Sequence, residues 1–186
     1  MDESKIRSEL IEWDKKTLDD RVTRWKQVKP ATYVVPLPNL VWEYLIETDY
    51  MFIRGHDVAT IILCATTMEL VIAHRLKLLE NSPWKAGSTL DTMIKLANEN
   101  QIINDNEAIE LEGLRKLRNA LTHGSVAKLD TMARKNYDGL SDYDESIGAS
   151  LYLHSIGSSG IDEDAIKYLQ FTRDLTLKFY GERENN

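Results

Sequence analysis

The stretch "HDVATIILCATTMELVIAHRLKLLE", residues 56–80, decides the fold. From Ala59 to Leu79, apolar side chains fall on nearly every side of an α-helix instead of forming one stripe. A helix of this kind has to be covered all around by other elements, as the central helix of a bundle is. Asp57 is suited to cap its first turn, because a short acidic side chain accepts a hydrogen bond from backbone N–H groups there. We therefore expect a buried central helix.

The segments on both sides of this helix also repeat apolar residues at helical spacing. Helices are predicted over 3–28, 40–53, 89–100, 107–123 and 163–181. Asn104 or Asp105, followed by Glu107, predicts the start of the helix over 107–123, and Gly124 is suited to end it. The sequence therefore predicts an all-α fold, an antiparallel bundle of five to six helices formed by residues 1–186 as a single domain.

Two regions depart from this pattern. Residues 1–37 combine the first helix with a proline-rich linker, "KPATYVVPLPN" at 29–39, in which each proline disfavours helix at the residue before it. Residues 126–160 contain glycine and serine clusters without a sustained helical period. We interpret them as an irregular insertion or lid before the last helix, with "ASLYLHSI" as a short strand. Its residues Tyr137, Tyr143 and Tyr152 are candidates for stacking on RNA bases.

The composition limits the possible functions. The net charge is −7, which argues against nucleic acid wrapping the whole surface but allows one local basic patch. The single cysteine, Cys64, lies in the apolar run "TIILCA", so we expect neither disulfides nor a zinc site. The start "MDESKIRSEL" does not resemble a secretory signal, and we expect no apolar run long enough to span a bilayer. We expect a cytoplasmic protein with no membrane association and no metal or other cofactor.

The segment "GLRKLRNALTHG", residues 113–124, concentrates cations in an acidic chain. On a helical wheel its leucines form a narrow apolar stripe, and Arg118 lies at the edge of that stripe. Asn119 and His123 lie one turn apart on the same side of the helix. Around the wheel, Arg115 and Thr122 fall between this pair and Arg118. An arginine offers a planar set of donors that fits a phosphate, and a histidine exchanges protons near neutral pH. This arrangement predicts a site that handles phosphate.

The same residues carry a resemblance to a known family. "RNALTH" after "LEGLRKL", following a long apolar helix with one embedded acid, resembles the HEPN superfamily, whose signature is an arginine, a polar residue, three variable residues and a histidine. The resemblance covers roughly residues 57–124 and, weakly, the last helix. It implies a small helical bundle, and in many members a metal-independent endoribonuclease that acts as a toxin or defence effector.

The resemblance also implies roles for particular residues. Arg118 would bind phosphate, Asn119 would orient its neighbours, and His123 would be the general acid and base. RNA would be cleaved to a 2′,3′-cyclic phosphate at a site formed where two copies of the motif meet in a homodimer. As a toxin of this kind, the chain would have an antitoxin or regulatory protein as a partner. Some members carry a tyrosine two residues after the histidine that a partner enzyme modifies; here that position is Ser125, so this regulation is not inferred.

Two alternatives remain open at this point. HEPN-like domains also include non-catalytic interaction or scaffold modules of defence or regulatory complexes, and the net charge of −7 favours that interpretation. Glu69, the acid embedded in the central helix, is expected either to pair with Arg118, as the resemblance implies, or to face solvent or pair with Arg75.

Overall fold

The computed structural model describes residues 2–28, 37–136, 144–154 and 160–181. Those residues form helices without strands, so the predicted all-α bundle is confirmed. The helices are α1 (Glu3–Val28), α2 (Asn39–Ile53), α3 (Asp57–Lys77), α4 (Leu90–Glu99), α5 (Asp105–Thr122), α6 (Val126–Asn136), α7 (Glu145–His154) and α8 (Ile161–Gly181).

The central helix is α3, which packs against α2, α4, α5 and α8. Its fully buried side chains include Ile61, Met68 and Ile72. Cys64 is also buried there, and burial raises the pKa of its thiol to about 12, so it is an inert core residue, as expected from the sequence. Asp57 is the first residue of α3, and it binds Arg24 instead of acting as the N-cap.

By length and composition, α3 is the one helix in the described residues that would be able to cross a membrane. The expectation that no apolar run is long enough was therefore wrong. In this fold, however, four helices cover α3, so its composition is accounted for by burial in a bundle.

The last helix, α8, makes hydrogen bonds to both α2 and the end of α1. Arg173 on α8 donates hydrogen bonds to the Asp49 carboxylate of α2 and, at 2.6 Å, to the Val28 carbonyl oxygen. All three residues are buried. Burial raises the pKa of Asp49 even though the hydrogen bond from Arg173 opposes this change. A buried charge pair of this kind fixes the position of α8, because removing one partner would leave the other charged and unpaired.

The region interpreted as an irregular insertion contains two helices, α6 and α7, which pack against each other. The predicted strand at 149–156 was wrong, since its residues up to His154 belong to α7, while residues 155 and 156 lie outside the described part. Leu129 and Ala133 on α6, and Ala149 and Tyr152 on α7, are buried at the spacing of three or four that a helix requires. The interpretation of this region as irregular was therefore wrong, because short helices with small residues have a weak helical periodicity.

The first helix, α1, differs most from expectation. Its described contacts lie near its C-terminal end, where Arg24 pairs with Asp57 and its guanidinium lies over the Phe52 ring. Apolar residues that repeat at helical spacing are expected to face inward, but those of α1 are exposed: Ile6, Leu10, Trp13, Leu18, Val22 and Trp25. Most of the proline-rich linker after α1 lies outside the described residues.

The motif helix α5 has both of its predicted ends. Asn104 accepts a hydrogen bond from the Glu107 N–H at 2.9 Å, and the Glu107 carboxylate accepts one from the Asn104 N–H at 2.8 Å. This reciprocal pair is a capping box and satisfies two backbone donors. At the other end Gly124 adopts a φ of 58°, which a glycine tolerates better than other residues.

A close approach between α5 and α8 explains the glycine inside α5. A Cβ atom added to Gly113 would lie 2.7 Å from the hydroxyl oxygen of Tyr168, a buried residue of α8, and 3.8 Å from its Cζ atom. The hydroxyl oxygen is therefore the atom that excludes a larger residue from this position.

We predict that Gly113→Ala lowers the free energy of unfolding by about 1–3 kcal/mol, as overpacking of a core does. In a Tyr168→Phe background the same change should be neutral or stabilise by up to about 1 kcal/mol, since alanine favours helix. Urea denaturation of the four proteins measures both effects. An equal effect of Gly113→Ala in both backgrounds would show that the hydroxyl is not the obstacle.

Candidate functional site

The motif helix α5 is anchored by a row of leucines. Leu111, Leu114 and Leu117 are buried, as is Ala120 one turn further on. Of the apolar stripe predicted from the sequence, Leu114 and Leu117 are buried, and Leu121 is partly buried and packs against the core. Because these side chains fix the rotation of α5, the polar residues of the motif take defined directions around the helix.

Arg118 pairs with Glu69 of α3, and its Nη2 atom lies 2.7 Å from Glu69 Oε1. Of the two predictions left open for Glu69, the pair with Arg118 is confirmed. Arg75, the other candidate, donates a hydrogen bond to the Phe179 carbonyl oxygen at 3.3 Å. The pair is only partly buried, with side-chain exposures of 27% for Arg118 and 34% for Glu69. The Arg118 guanidinium is thus held in place at one nitrogen and still reaches solvent.

Arg115 is bound within its own helix. Its Nε and Nη2 atoms each lie 2.7 Å from an oxygen of Glu112, and Asp91 Oδ1 is 3.8 Å away. The hydrogen bond from Arg115 lowers the pKa of Glu112, and the same bond raises the pKa of Arg115. Lys116 also approaches Glu112, at 3.3 Å. Part of the positive charge on this face is therefore neutralised.

A groove of about 350 Å³ lies between α5 and α6 and is lined by Arg115, Lys116, Asn119, Lys128, Thr131 and Met132. The structure thus brings Arg115 and Asn119 together at one cavity. Lys128, Thr131 and Met132 were missed by the sequence interpretation, which treated their segment as irregular. These three residues occupy positions i, i+3 and i+4, which lie on one face of a helix. That spacing is the signal in the sequence that would have found them.

Thr122 and His123 lie at the C-terminal end of α5. The Thr122 hydroxyl donates a hydrogen bond to the Arg118 carbonyl oxygen at 2.9 Å, so it supports the helix end. The His123 N–H donates to the Asn119 carbonyl oxygen at 3.1 Å. The His123 side chain is exposed, and it makes no hydrogen bond with any residue that the structure describes. Within one chain, the described contacts link Arg118 to Glu69 and do not link Arg118 to His123.

The other candidate groups have simpler roles. Tyr152 is fully buried, and its hydroxyl donates a hydrogen bond to Asp164, so the prediction that it stacks on RNA bases was wrong. Tyr137 and Tyr143 lie outside the described residues. In the described part of the chain, no group of three or more His, Cys, Asp or Glu side chains is arranged to hold a metal ion.

Comparisons of this chain with protein-family models, with curated proteins and with solved structures found no match.

We predict that Glu69→Gln lowers the free energy of unfolding by about 1–2 kcal/mol. This range lies between the small value of surface ion pairs and the ~3–5 kcal/mol lost when a fully buried pair is broken. Glu80→Gln, a matched change at an exposed position after α3, should leave stability nearly unchanged. Chemical denaturation at neutral pH measures both. Equal stability of the two variants would show that the Glu69–Arg118 pair contributes nothing.

Proposed function

We propose that this chain is a metal-independent endoribonuclease of HEPN type, acting in the cytoplasm as a toxin or defence effector. The observation that carries the proposal is the arrangement around α5. Arg118 is held by Glu69, Asn119 lines a cationic groove, and His123 follows one turn later with an exposed ring. A site that handles RNA needs a fixed phosphate-binding donor, a path for the backbone and a group that moves protons, and these three features supply them.

The groove between α5 and α6 is suited to the RNA backbone. It presents three cations, Arg115, Lys116 and Lys128, of which Glu112 neutralises one charge. Asp91 also lies 3.8 Å from Arg115, so the local charge is between about +1 and about +2, in a chain whose net charge is −7. A local positive groove on an acidic protein attracts a phosphate chain at one place only. This favours a single binding site over a surface that nucleic acid wraps.

His123 is proposed as the group that transfers protons. The ribose 2′-oxygen attacks the adjacent phosphorus while its proton passes to a neutral imidazole. The bond from phosphorus to the 5′-oxygen breaks, and that oxygen receives a proton from an imidazolium. The products are a 2′,3′-cyclic phosphate and a free 5′-hydroxyl. Arg118 donates hydrogen bonds to the phosphate oxygens, where negative charge develops.

We propose that two copies of the chain form the complete site as a homodimer. On an ideal helix Arg118 and His123 point about 140° apart, so one copy does not close both groups on one phosphate. A two-fold contact between α5 helices near His123 would set the histidine of one copy beside the arginine of the other. It would also provide two imidazoles, one for each proton transfer.

The central test is the His123→Ala variant. We expect its RNA cleavage rate to fall by ~10²–10⁴-fold, as on removal of a general acid–base group, with unchanged melting because the side chain is exposed. Wild-type cleavage should leave a 2′,3′-cyclic phosphate, spare DNA, which lacks the 2′-hydroxyl, and persist with a chelator. Wild-type activity in the variant would mean a contaminating nuclease and would contradict the proposal.

We also predict a change in the salt dependence of RNA binding. Lys116→Gln together with Lys128→Gln should weaken binding to a single-stranded RNA. The slope of log affinity against log salt should become shallower by about 0.7 for each lysine that neutralises a phosphate in the wild type, the value for a single strand. Fluorescence anisotropy across a salt series measures this slope. Lys178→Gln, which removes a cation of α8 that pairs with Glu107, is the control and should not change it.

A non-catalytic interaction module is the second candidate. It is favoured by the net charge of −7 and by the described contacts, which leave the His123 side chain unpartnered within one chain. For this candidate, purified wild-type and His123→Ala proteins would both leave RNA intact, and both would bind the same antitoxin or regulatory protein.

A further inference from the structure

The helix α1 has apolar side chains on the surface that it turns away from the bundle. Its residues Ile6, Leu10, Ile11, Trp13, Leu18, Val22 and Trp25 are each at least 36% exposed. The less exposed residues of α1 are Thr17, Arg21, Arg24 and Val28, which recur every three or four positions and form one face. The bundle therefore covers a mainly polar face of α1 and leaves the apolar side chains in solvent, a costly arrangement for a free helix.

One row of these residues has the spacing of a helix pair. Ile11, Lys15, Leu18, Val22 and Trp25 follow each other at steps of four, three, four and three, and we call this row the α1 seam. Apolar residues at this spacing are buried when two helices wind around each other. The helix has 26 residues, so it is about 39 Å long at 1.5 Å per residue and offers the whole seam to one partner.

The charges of α1 indicate which partner fits. From Glu3 to Asp14 there are four acidic and two basic residues, a net charge of −2. From Lys15 to Val28 there are five basic and two acidic residues, a net charge of +3, or +2 if Arg24 is left out because Asp57 neutralises it. Two α1 helices in antiparallel orientation about Leu18 would set the acidic residues 8–14 of each copy against the basic residues 22–28 of the other, whereas a parallel pair would set like charges together.

We propose that the α1 seam packs against the α1 seam of a second copy of this chain, antiparallel, with the two-fold axis near Leu18. The contact pairs the same row of both copies and is complementary in charge, so through this surface each copy binds one partner. It uses a surface different from α5 and does not depend on the proposed nuclease activity. Lys15, the single cation in the seam, limits its stability, as polar residues in such rows do.

The first experiment measures the mass of the full-length chain by sedimentation equilibrium at several micromolar concentrations. The wild type should associate, and the Leu18→Asp/Val22→Asp variant should do so at least about tenfold more weakly. Both positions are exposed, so the variant should keep the wild-type circular dichroism and melting temperature. Ile109→Asp, which changes an apolar residue of α5 that is 67% exposed, is the matched control and should associate like wild type.

The second experiment measures the orientation of the pair with spin labels on Ser8→Cys and, separately, on Lys16→Cys. Cys64 is buried and does not take a label. In the antiparallel pair, labels at position 8 should lie about 30 Å apart along the helix axis and labels at position 16 about 6 Å apart, from the rise per residue. A parallel pair would give short distances at both positions.

Three outcomes would overturn the proposal: a monomeric wild type, association that the α1 variant does not weaken, or short distances at position 8. Association that survives the α1 variant would belong to another surface, including the contact between α5 helices proposed above. RNA cleavage by a protein with a disrupted α1 seam separates the two proposals, because the nuclease site does not include α1.

Discussion

The structure depends on the need to cover the apolar residues of α3. A helix with apolar residues all around can bury them only if other elements pack on it; α2, α4, α5 and α8 pack on α3 and bury nine of its 21 residues. This requirement sets the number of core helices and their places around the centre. It also leaves Glu69, an acid in the middle of this helix, partly buried, so that a positive partner offsets part of the hydration that the carboxylate loses. Arg118 of α5 meets that need, so the rotation of α5 is fixed by a charge as well as by its leucines.

The parts of the fold that depend on local sequence were predictable. The capping box of Asn104 and Glu107, the positive φ of Gly124 and the leucine row of α5 all follow from residues a few positions apart. The placement of α1 was not predictable in the same way. Apolar residues at helical spacing favour a buried face, but Arg24 binds Asp57 and lies over Phe52, and these contacts turn the apolar residues of α1 outward. The orientation of α1 therefore depends on Asp57 and Phe52, which lie far from Arg24 in the sequence.

The candidate site was predicted only where it lies on one helix. The segment from Arg115 to His123 was found from its own spacing, and Arg118 was one of two partners expected for Glu69, the other being Arg75. The opposite wall of the groove was not found, because it required α6 to be recognised as a helix and then packed beside α5. Lys128 and Thr131 therefore entered the site only through tertiary structure. A surface that two helices form together cannot be recognised from the sequence of either helix alone.

The pairing of α6 with α7 has a consequence for the stability of this groove. These two helices contact each other more extensively than either contacts the bundle, although Tyr152 connects them to α8 through Asp164. Separating them from the bundle therefore exposes less buried surface than unfolding the helices around α3, and such units open at a lower free energy than the global transition. A ligand bound to both Arg115 of α5 and Lys128 of α6 would connect the less stable pair α6–α7 to the more stable bundle. The binding free energy would then include the cost of holding α6 against the bundle. Tight binding and slow amide exchange in α6 would therefore occur together.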